Sequence, residues 1–387
     1  LTAKLLKQQY LRKAILRQLY YGGPLSLADM CIYTNKSLPV VSTAIAALLE
    51  EGYIKEHGLA PSTGGRRPVT YLINKDKRSY IFVAAVDQLE VRICAYNLAN
   101  EPILPTASFP LDLANNGSAI DELIGFLQQI IHSSNLSKAE ILGIGVAMPG
   151  VYNMKEGKNH TFFPDLENLP KYLGEQLDLP VYIDNDSRAI ARAELKFGAA
   201  KGYKDVMVVN IGWGIGLGMI VDGALFSGHN GYAGEFSHIP LANTNNLCSC
   251  GKRGCLEVGA SLLVLVDKAR NEMSIGAKSR LEQLFKDESA LAGEQLLAAA
   301  KSGDPLAISL LAEGGFMIGK GLATLIHIMN PERIVLSGRG ASAGKIWLAP
   351  IDQAINEFCI PRLAEQTAIV VSTLSKEVQL LGAAALV

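Results

Sequence analysis

The sequence predicts an α/β protein with a small basic module of helices and a hairpin at its amino terminus. Three observations carry this. From residue 80 onward strands alternate with helices, and the strands run into glycine-rich turns. The first 78 residues read differently, as three helices and two strands. Charge divides at the same place. Residues 1–80 hold 12 Lys and Arg against 5 Asp and Glu, a net of +7, which leaves −8 for the rest of a chain whose total is −1. A basic module on an acidic body points to a polyanionic partner for the module alone.

At 387 residues the chain can form two or three cores. Its 49% hydrophobic and 19% charged content is that of a soluble globular protein. No apolar run approaches the roughly 18 residues of a membrane span. No targeting segment is visible, so no membrane partner and a cytoplasmic location are expected. Six cysteines are too sparse for a disulfide scaffold.

Residues 4–20 read as an amphipathic helix with Leu5, Leu11, Ile15, Leu16 and Leu19 as its apolar stripe. Gly22-Gly23-Pro24 stops it. Ser26 is the expected N-cap of a short helix from Leu27, with Asp29 in its first turn. After a turn at Asn35-Lys36, Ser37 is expected to cap a helix from Leu38 to Glu51, with Pro39 in the first turn where a missing N–H costs nothing. This is the pattern of a helix-turn-helix. Ser37, Pro39, Val40 and Thr43 would face base edges, while Val41, Ile45, Leu48 and Leu49 face the core. Alone, the pattern equally fits a three-helix bundle that binds protein.

The following segment decides for DNA. Residues 53–56 and 69–73 read as two strands, which makes the hairpin a wing. Its tip holds Gly64, Gly65, Arg66 and Arg67, glycines for close approach and arginines for phosphates or a narrow minor groove. Residues 75–78 form a charged hinge. Beyond it come a strand hairpin over 80–97, more strand near 103–111, a helix over 119–133, and a buried strand over 141–147 ending at Met148-Pro149-Gly150. A strand over 181–183 ends at Asp184-Asn185-Asp186 before a helix over 187–197. Strands at 206–211 and 333–336 run into the glycine runs 212–218 and Ser337-Gly338-Arg339-Gly340.

The most specific stretch is Gly231 to Glu257. It contains His238, Cys248, Cys250 and Cys255, a Cys3His set suited to a closed, structural tetrahedral zinc site. Cys248 and Cys250 are too close in sequence to bridge easily. Glu235 and Glu257 bracket the ligands, so the metal would hold two carboxylates rigidly.

Residues 80–387 resemble the ROK family of sugar kinases and sugar-responsive repressors. The resemblance lies in Ala233-Gly234-Glu235-x-x-His238 and Cys248-x-Cys250-Gly251-x-x-Gly254-Cys255-x-Glu257. With the winged helix and its Gly-Gly-Arg-Arg-Pro wing, the whole chain is similar to the repressor branch, of the N-acetylglucosamine and xylose repressor type. The resemblance implies a two-lobed, actin-like (ribonuclease H-like) fold. The expected division is a winged helix at 1–78, a small lobe at 79–186 completed by the C-terminal segment, and a large lobe with the zinc loop at 187–387.

The resemblance also implies a sugar site at Asn185, Asp186, Glu235, His238 and Glu257, with Gly150 and Pro149 closing one wall. His238 would give one ring nitrogen to zinc and the other to a hydroxyl. In kinase members the aspartate at 186 would be the base. Asn185 and Asp186 could instead merely cap the following helix. Kinases of the family carry Asp-x-Gly-x-Thr in the first hairpin. Here the stretch is Asp87-Gln88-Leu89-Glu90-Val91, and Trp213 and Arg339 enlarge the other two phosphate loops. ATP binding is therefore expected to be lost, and Asp186 to remain as a sugar ligand.

The reading is a sugar-responsive transcriptional repressor, released from operator DNA by a sugar or sugar phosphate and acting as a homodimer or homotetramer. The alternatives are a sugar kinase with an attached DNA-binding head and a zinc-stapled interaction module.

Overall fold

The computed structural model describes residues 3–60, 67–242, 245–287 and 290–387. Helix α1 (Ala3–Gly22) packs on α2 (Leu27–Thr34) and α3 (Leu38–Glu50). The short strand β1 (Leu25–Ser26) joins β2 (Ile54–Leu59) and β3 (Val69–Ile73) in an antiparallel sheet of order β1-β3-β2. Ser26 and Asp29 form the capping box that starts α2. Asn35 ends it in a left-handed conformation, φ 50°. Ile15, Met30, Val41, Leu48 and Ile54 make one buried cluster, as the stripe predicts. Two expectations fail locally. Leu5 is exposed, because α1 begins before the helices that would cover it. Ser37 is the N-cap of α3, but its hydroxyl makes no cap bond.

The body repeats one sheet design twice. In the first half β4 (Tyr80–Val86), β5 (Glu90–Asn97) and β6 (Ala107–Pro110) form a meander, followed by α4 (Ala119–Ser133), β7 (Ile141–Met148), the two-residue strands β8 (Tyr152–Asn153) and β9 (Lys158–Asn159), α5 (Leu169–Leu177) and β10 (Val181–Asn185). The sheet order is β10-β7-β4-β5-β6, with β4, β7 and β10 parallel and the meander antiparallel. The strand expected near 103–111 is only the four residues of β6.

In the second half, α6 (Asp186–Phe197) leads to β11 (Val206–Ile211), β12 (Ile215–Val221) and β13 (Ala224–Phe226). Helices α7 (Glu257–Ala260), α8 (Leu262–Ser274), α9 (Leu281–Leu284), α10 (Ala292–Lys301) and α11 (Pro305–Met329) precede β14 (Arg333–Ser337), α12 (Lys345–Phe358), α13 (Pro361–Ala364), β15 (Ala368–Val371) and α14 (Val378–Ala384). The order β13-β12-β11-β14-β15 matches the first sheet position for position: an antiparallel meander on one side, two parallel strands on the other. Parallel neighbours need helical crossovers, and α4 and α11 supply them. The closing helix α14 returns to the first sheet, burying Leu380 and Ala383 against Ile81, Val83 and Ala85.

Helix α11 departs from the expectation that nothing here could span a membrane. It is 25 residues long, with a window of mean hydropathy 1.4. Its apolarity serves the core, where Leu311, Ile318 and Leu322 are fully buried. Glycines let α12 lie against it: a Cβ at Gly319 would sit 2.7 Å from the Ile351 carbonyl oxygen.

The chain's two tryptophans, Trp213 and Trp347, both lie in the body, so they separate body from head in an unfolding experiment. Leu48→Ala empties a fully buried position of the head and should destabilise it by about 2–5 kcal/mol. Urea unfolding should show an earlier helical circular-dichroism transition, with the tryptophan fluorescence midpoint moving less.

Candidate ligand pocket and metal centre

A pocket of about 440 Å³ opens where the two sheets face each other. It takes residues from the ends of β4, β7, β10 and β11 and from the loops 231–238 and 249–257. This is where open α/β sheets place ligands, outside the carboxyl ends of their strands. Asp186, Asn185, Gly150, Glu235, His238 and Glu257 all line it, so the fold brings together every predicted pocket residue.

Their chemistry differs from residue to residue. Asn185 is the N-cap of α6: its Oδ1 accepts from Ser187 N at 3.0 Å and Arg188 N at 3.2 Å. Its Nδ2 donates to the Gly150 carbonyl at 3.1 Å. The amide is thus largely spent on positioning, which was the alternative weighed for it. Asp186 sits at the first turn of the helix, accepting from Ser187 N at 2.7 Å and from Asn210 Nδ2 at 3.2 Å. Burial first, and the nearby Asp87 charge second, push its carboxyl up to about 6. Glu257 accepts from Ile215 N at 2.9 Å, and burial pushes its carboxyl up to about 7. A Cβ at Gly214 would lie 2.7 Å from Glu257 Oε1, so a side chain there would push this carboxylate from its place. Glu235 is half-exposed at the rim. Burial against the wall raises its pKa, while His238 and Arg188 pull it down.

His238, Cys248, Cys250 and Cys255 converge so that their ligand atoms all lie within 4.8 Å of one another. His238 Nδ1 is 3.6 Å from Cys248 Sγ, and Cys250 Sγ is 3.7 Å from Cys255 Sγ. Donors about 2.0–2.3 Å from a tetrahedral ion would stand about 3.5–3.8 Å apart, so the set fits a metal and is too wide for a disulfide. The other ring nitrogen, Nε2, faces Glu235 Oε2 at 3.7 Å. The backbone approaches tightly enough because Gly251 and Gly254 take positive φ, 82° and 71°.

Three groups escaped the sequence reading. Arg188 is buried and ties three elements together. Its Nε meets Asp184 Oδ1 at 2.6 Å, Nη2 donates to the Tyr152 carbonyl at 3.3 Å, and Nη1 donates to the Gly231 carbonyl. Asn210 holds Asp186. The third is an ion cluster beside the pocket. Arg339, only 8% exposed, donates to Asp87 and Glu90 from the β4–β5 hairpin and to Glu294 Oε1 of α10 at 2.8 Å. Its guanidinium lies 4.7 Å from the ring centre of Trp213. Part of the signal was present, since Glu90, Trp213 and Arg339 lie in the three loops that depart from the kinase pattern. Only the fold shows that they meet.

In the head, Ser37, Pro39, Val40 and Thr43 are all exposed on α3. The Thr43 hydroxyl is turned onto its own helix, donating to the Pro39 carbonyl at 2.9 Å. Gly64, Gly65 and Arg66 lie outside the described residues. Arg67 is bound to the wing, its Nε donating to the Ala60 carbonyl at 2.7 Å and Nη2 to that of Leu59 at 3.2 Å.

The chain thus joins a winged helix to a duplicated actin-like body that carries a Cys3His loop at its cleft. Residues 115–387 match the ROK family model, and the chain belongs to the ROK family. It is 30% identical to the xylose repressor of Caldicellulosiruptor bescii over 90% of this chain and 87% of that one. It is 28% identical to the DNA-binding transcriptional dual regulator NagC of Escherichia coli K12, over 97% and 91%. A crystal structure of a ROK family transcriptional regulator, a homologue of the Escherichia coli Mlc protein, superposes with a TM-score of 0.77 at 25% identity, covering 98% of this chain and 96% of that one. A glucokinase of Halalkalibacterium halodurans, 31% identical, aligns with only 66% of this chain and 79% of its own.

The raised Asp186 carboxyl makes a prediction. The folded chain keeps this proton up to about pH 6, whereas the unfolded chain releases it near 3.8. Between those values the folded state binds more protons, so this group costs stability as pH rises, and the cost is complete above about 6. Asp186→Asn removes that cost. Relative to wild type, its stability should be near equal at pH 4 and higher by up to about 3 kcal/mol at pH 7; thermal melts across this range check it.

Proposed function

We propose that this protein is a sugar-responsive transcriptional repressor whose winged helix binds operator DNA and is released when a sugar fills the pocket. One observation carries the reading: the regulators align with 90% and 97% of this chain, more than the body alone could supply, whereas the glucokinase aligns with 66%. The proposed division of labour follows residues 1–78, 79–186 with the C-terminal segment, and 187–387. The protein would act in the cytoplasm, where thiols stay reduced and free to hold metal. A symmetric dimer, or a pair of dimers, would match an operator of two-fold symmetry.

In this reading Asp186, Glu235, His238 and Glu257 contact sugar hydroxyls, and Asn185 and Gly150 shape the wall. The head would read bases through Ser37, Pro39, Val40 and Thr43, and phosphates through the wing around Gly64, Gly65, Arg66 and Arg67. Catalysis is disfavoured on electrostatic grounds. The altered first phosphate loop adds Glu90 beside the retained Asp87, and Arg339 is already engaged by both and by Glu294.

Helix α6 supplies the route from pocket to head. Asp186 lies at its first residue and Phe197 at its last. Phe197 packs edge-on against Tyr20 and at a tilt against Tyr21 of α1, with ring centres at 5.9 and 5.6 Å. The Lys196 ammonium lies 4.9 Å over Tyr21, and the Tyr20 hydroxyl bonds Asn100 of the body. A shift of the helix start would therefore move the head, and a coupling of about 1–3 kcal/mol suffices for release.

Electrophoretic mobility shift with DNA from upstream of the protein's own gene tests the function. Wild type should bind specifically, and the activating sugar should weaken binding about tenfold or more. Phe197→Ala should keep both single affinities and lose most of that effect. Binding untouched by every sugar tried, or transfer of phosphate from MgATP to sugar at ordinary kinase rates, would refute the repressor reading. Alanine at Arg66 and Arg67 should lower affinity and flatten its salt dependence.

A zinc ion on His238, Cys248, Cys250 and Cys255 would have no open coordination position, and would supply rigidity to the loop carrying Glu235 and Glu257. Metal analysis of purified protein should find about one zinc per chain. Cys250→Ser should lose it and bind sugar at least tenfold more weakly; normal sugar binding without metal would show that the loop needs no staple.

A further inference from the structure

We infer that the seam between head and body is a binding site for a free phosphate-sized dianion, gripped by Arg17 of α1 and by Arg192 and Lys196 of α6. The site is separate from the pocket and does not depend on what fills it.

Spacing sets up the site. Arg17 and Tyr21 stand one turn apart on α1, and Arg188, Arg192 and Lys196 recur at every fourth residue of α6. Residues four apart share a helix face, so α6 carries a basic stripe that runs from the pocket to the head. Asp184 balances the stripe at the pocket end, 2.6 Å from Arg188 Nε and 3.3 Å from Arg192 Nη2. At the head end no such balance exists among the described residues. The Lys196 ammonium lies 4.9 Å over the Tyr21 ring, and the Lys201 ammonium meets the Tyr21 carbonyl at 3.4 Å. Among the described residues neither Arg17 nor Lys196 makes a hydrogen bond or an ion pair. Arg192 Nε is buried without a partner.

These cations are close enough to act on one another. Burial first, and then the Arg17 and Arg192 charges, lower the pKa of Lys196. Burial raises that of the Tyr21 phenol, and the same two guanidinium groups pull it back. No carboxylate figures among the charges that act on either group. Like charges crowded in a partly buried seam repel, and one dianion between them would relieve the repulsion. A phosphate group suits the donors: its oxygens can accept from a guanidinium fork and from an ammonium together.

A DNA backbone is the other source of phosphate, and the position argues against it. Helix α1 meets the rear of α3, where Arg12 bonds Glu51, the residue after that helix ends. Ser37 to Thr43 lie at the opposite end, and a helix of 13 residues is about 20 Å long. The bound species is therefore a free ion. Because Arg17 belongs to the head and Arg192 and Lys196 to the body, it would fasten one to the other.

Isothermal titration of inorganic phosphate into the full-length protein tests this, with ionic strength held constant by potassium chloride. Wild type should bind one ion per chain saturably, and Arg17→Gln with Lys196→Gln should weaken binding at least about tenfold. No saturable binding by wild type, or equal affinity in the double variant, overturns the inference. Neither side chain has an ion pair to lose. Should the double variant still not fold, Arg17→Gln alone, at an exposed position, must weaken phosphate at least about threefold. In urea, saturating phosphate should move the circular-dichroism midpoint of the head toward the tryptophan midpoint of the body, since the ion binds only where the two are joined. An unmoved midpoint would show that the ion does not bridge them. Alanine at Arg66 and Arg67 should leave phosphate affinity intact; its loss there would place the ion on the wing instead. Duplex DNA of unrelated sequence separates the two sources of phosphate. The seam variant should keep wild-type affinity for it and the same salt slope. Weaker binding with a shallower slope would assign these cations to the DNA backbone and overturn the free-ion site.

Discussion

Arg339 lies between the two halves of the body, and much of the cleft depends on how its charge is balanced. A guanidinium at 8% exposure is costly to desolvate. Burial pulls its pKa down, and Asp87 and Glu90 outweigh that, so it stays charged. The neighbourhood is balanced overall: Arg339, Arg92 and Lys376 against Asp87, Glu90 and Glu294. Asp87 and Glu90 belong to the hairpin of the first sheet, Arg339 to the turn after β14 of the second, and Glu294 to a helix packed on that turn. The halves are thus tied across the cleft by charges built into the chain. Such a tie holds the sheets in register without a bound polyphosphate.

The pocket inherits its precision from the two equivalent sheets. Each ends a central or parallel strand where the next element must begin, and each uses an asparagine there. Asn185 caps α6 and reaches across to Gly150 of the β7 loop. Asn210, near the end of β11, reaches back to Asp186 and to the Ser187 hydroxyl at 3.1 Å. The pocket-lining Asp186 carboxylate is therefore positioned by neighbouring amides. Glu257 is fixed from the other side by a backbone N–H, and needs the missing side chain at Gly214 to do it. Groups raised toward neutrality by burial are well suited to exchange hydrogen bonds with hydroxyls.

The elements were legible wherever local periodicity and turn chemistry agreed. The helix over 119–133, the strand over 69–73 and the capping box at Ser26 follow from spacing and side-chain oxygen placement alone. The Cys3His set was legible because thiolates at that spacing have few other uses. What periodicity could not reveal was pairing across long sequence separations. Arg339 and Asp87 are 252 residues apart, and each looked like a lost phosphate loop on its own. Arg188 carried no signal of its own within the helix over 187–197, and only the fold pairs it with Asp184 and buries both. The roles of Asn185 and Arg67 also turned on geometry, since either could have faced a ligand, and both instead bond their own backbone neighbourhood.

Helix α6 shows how the same constraints serve communication. Its twelve residues span about 18 Å, with the pocket-lining Asp186 carboxylate at one end and the Phe197 ring packed against the head at the other. A helix is stiff along its axis. This one is also clamped: Ala189 and Ala191 are fully buried, and a Cβ at Gly382 of α14 would lie 2.1 Å from the Ala189 carbonyl oxygen. A body packed that closely resists bending of the helix, which is what the proposed route from Asp186 to Phe197 requires. The head is held to the body by few contacts beyond that aromatic seam, notably the Lys75–Glu101 pair at 3.1 Å and the Lys201 ammonium on the Tyr21 carbonyl at 3.4 Å. Those contacts are exposed and individually weak.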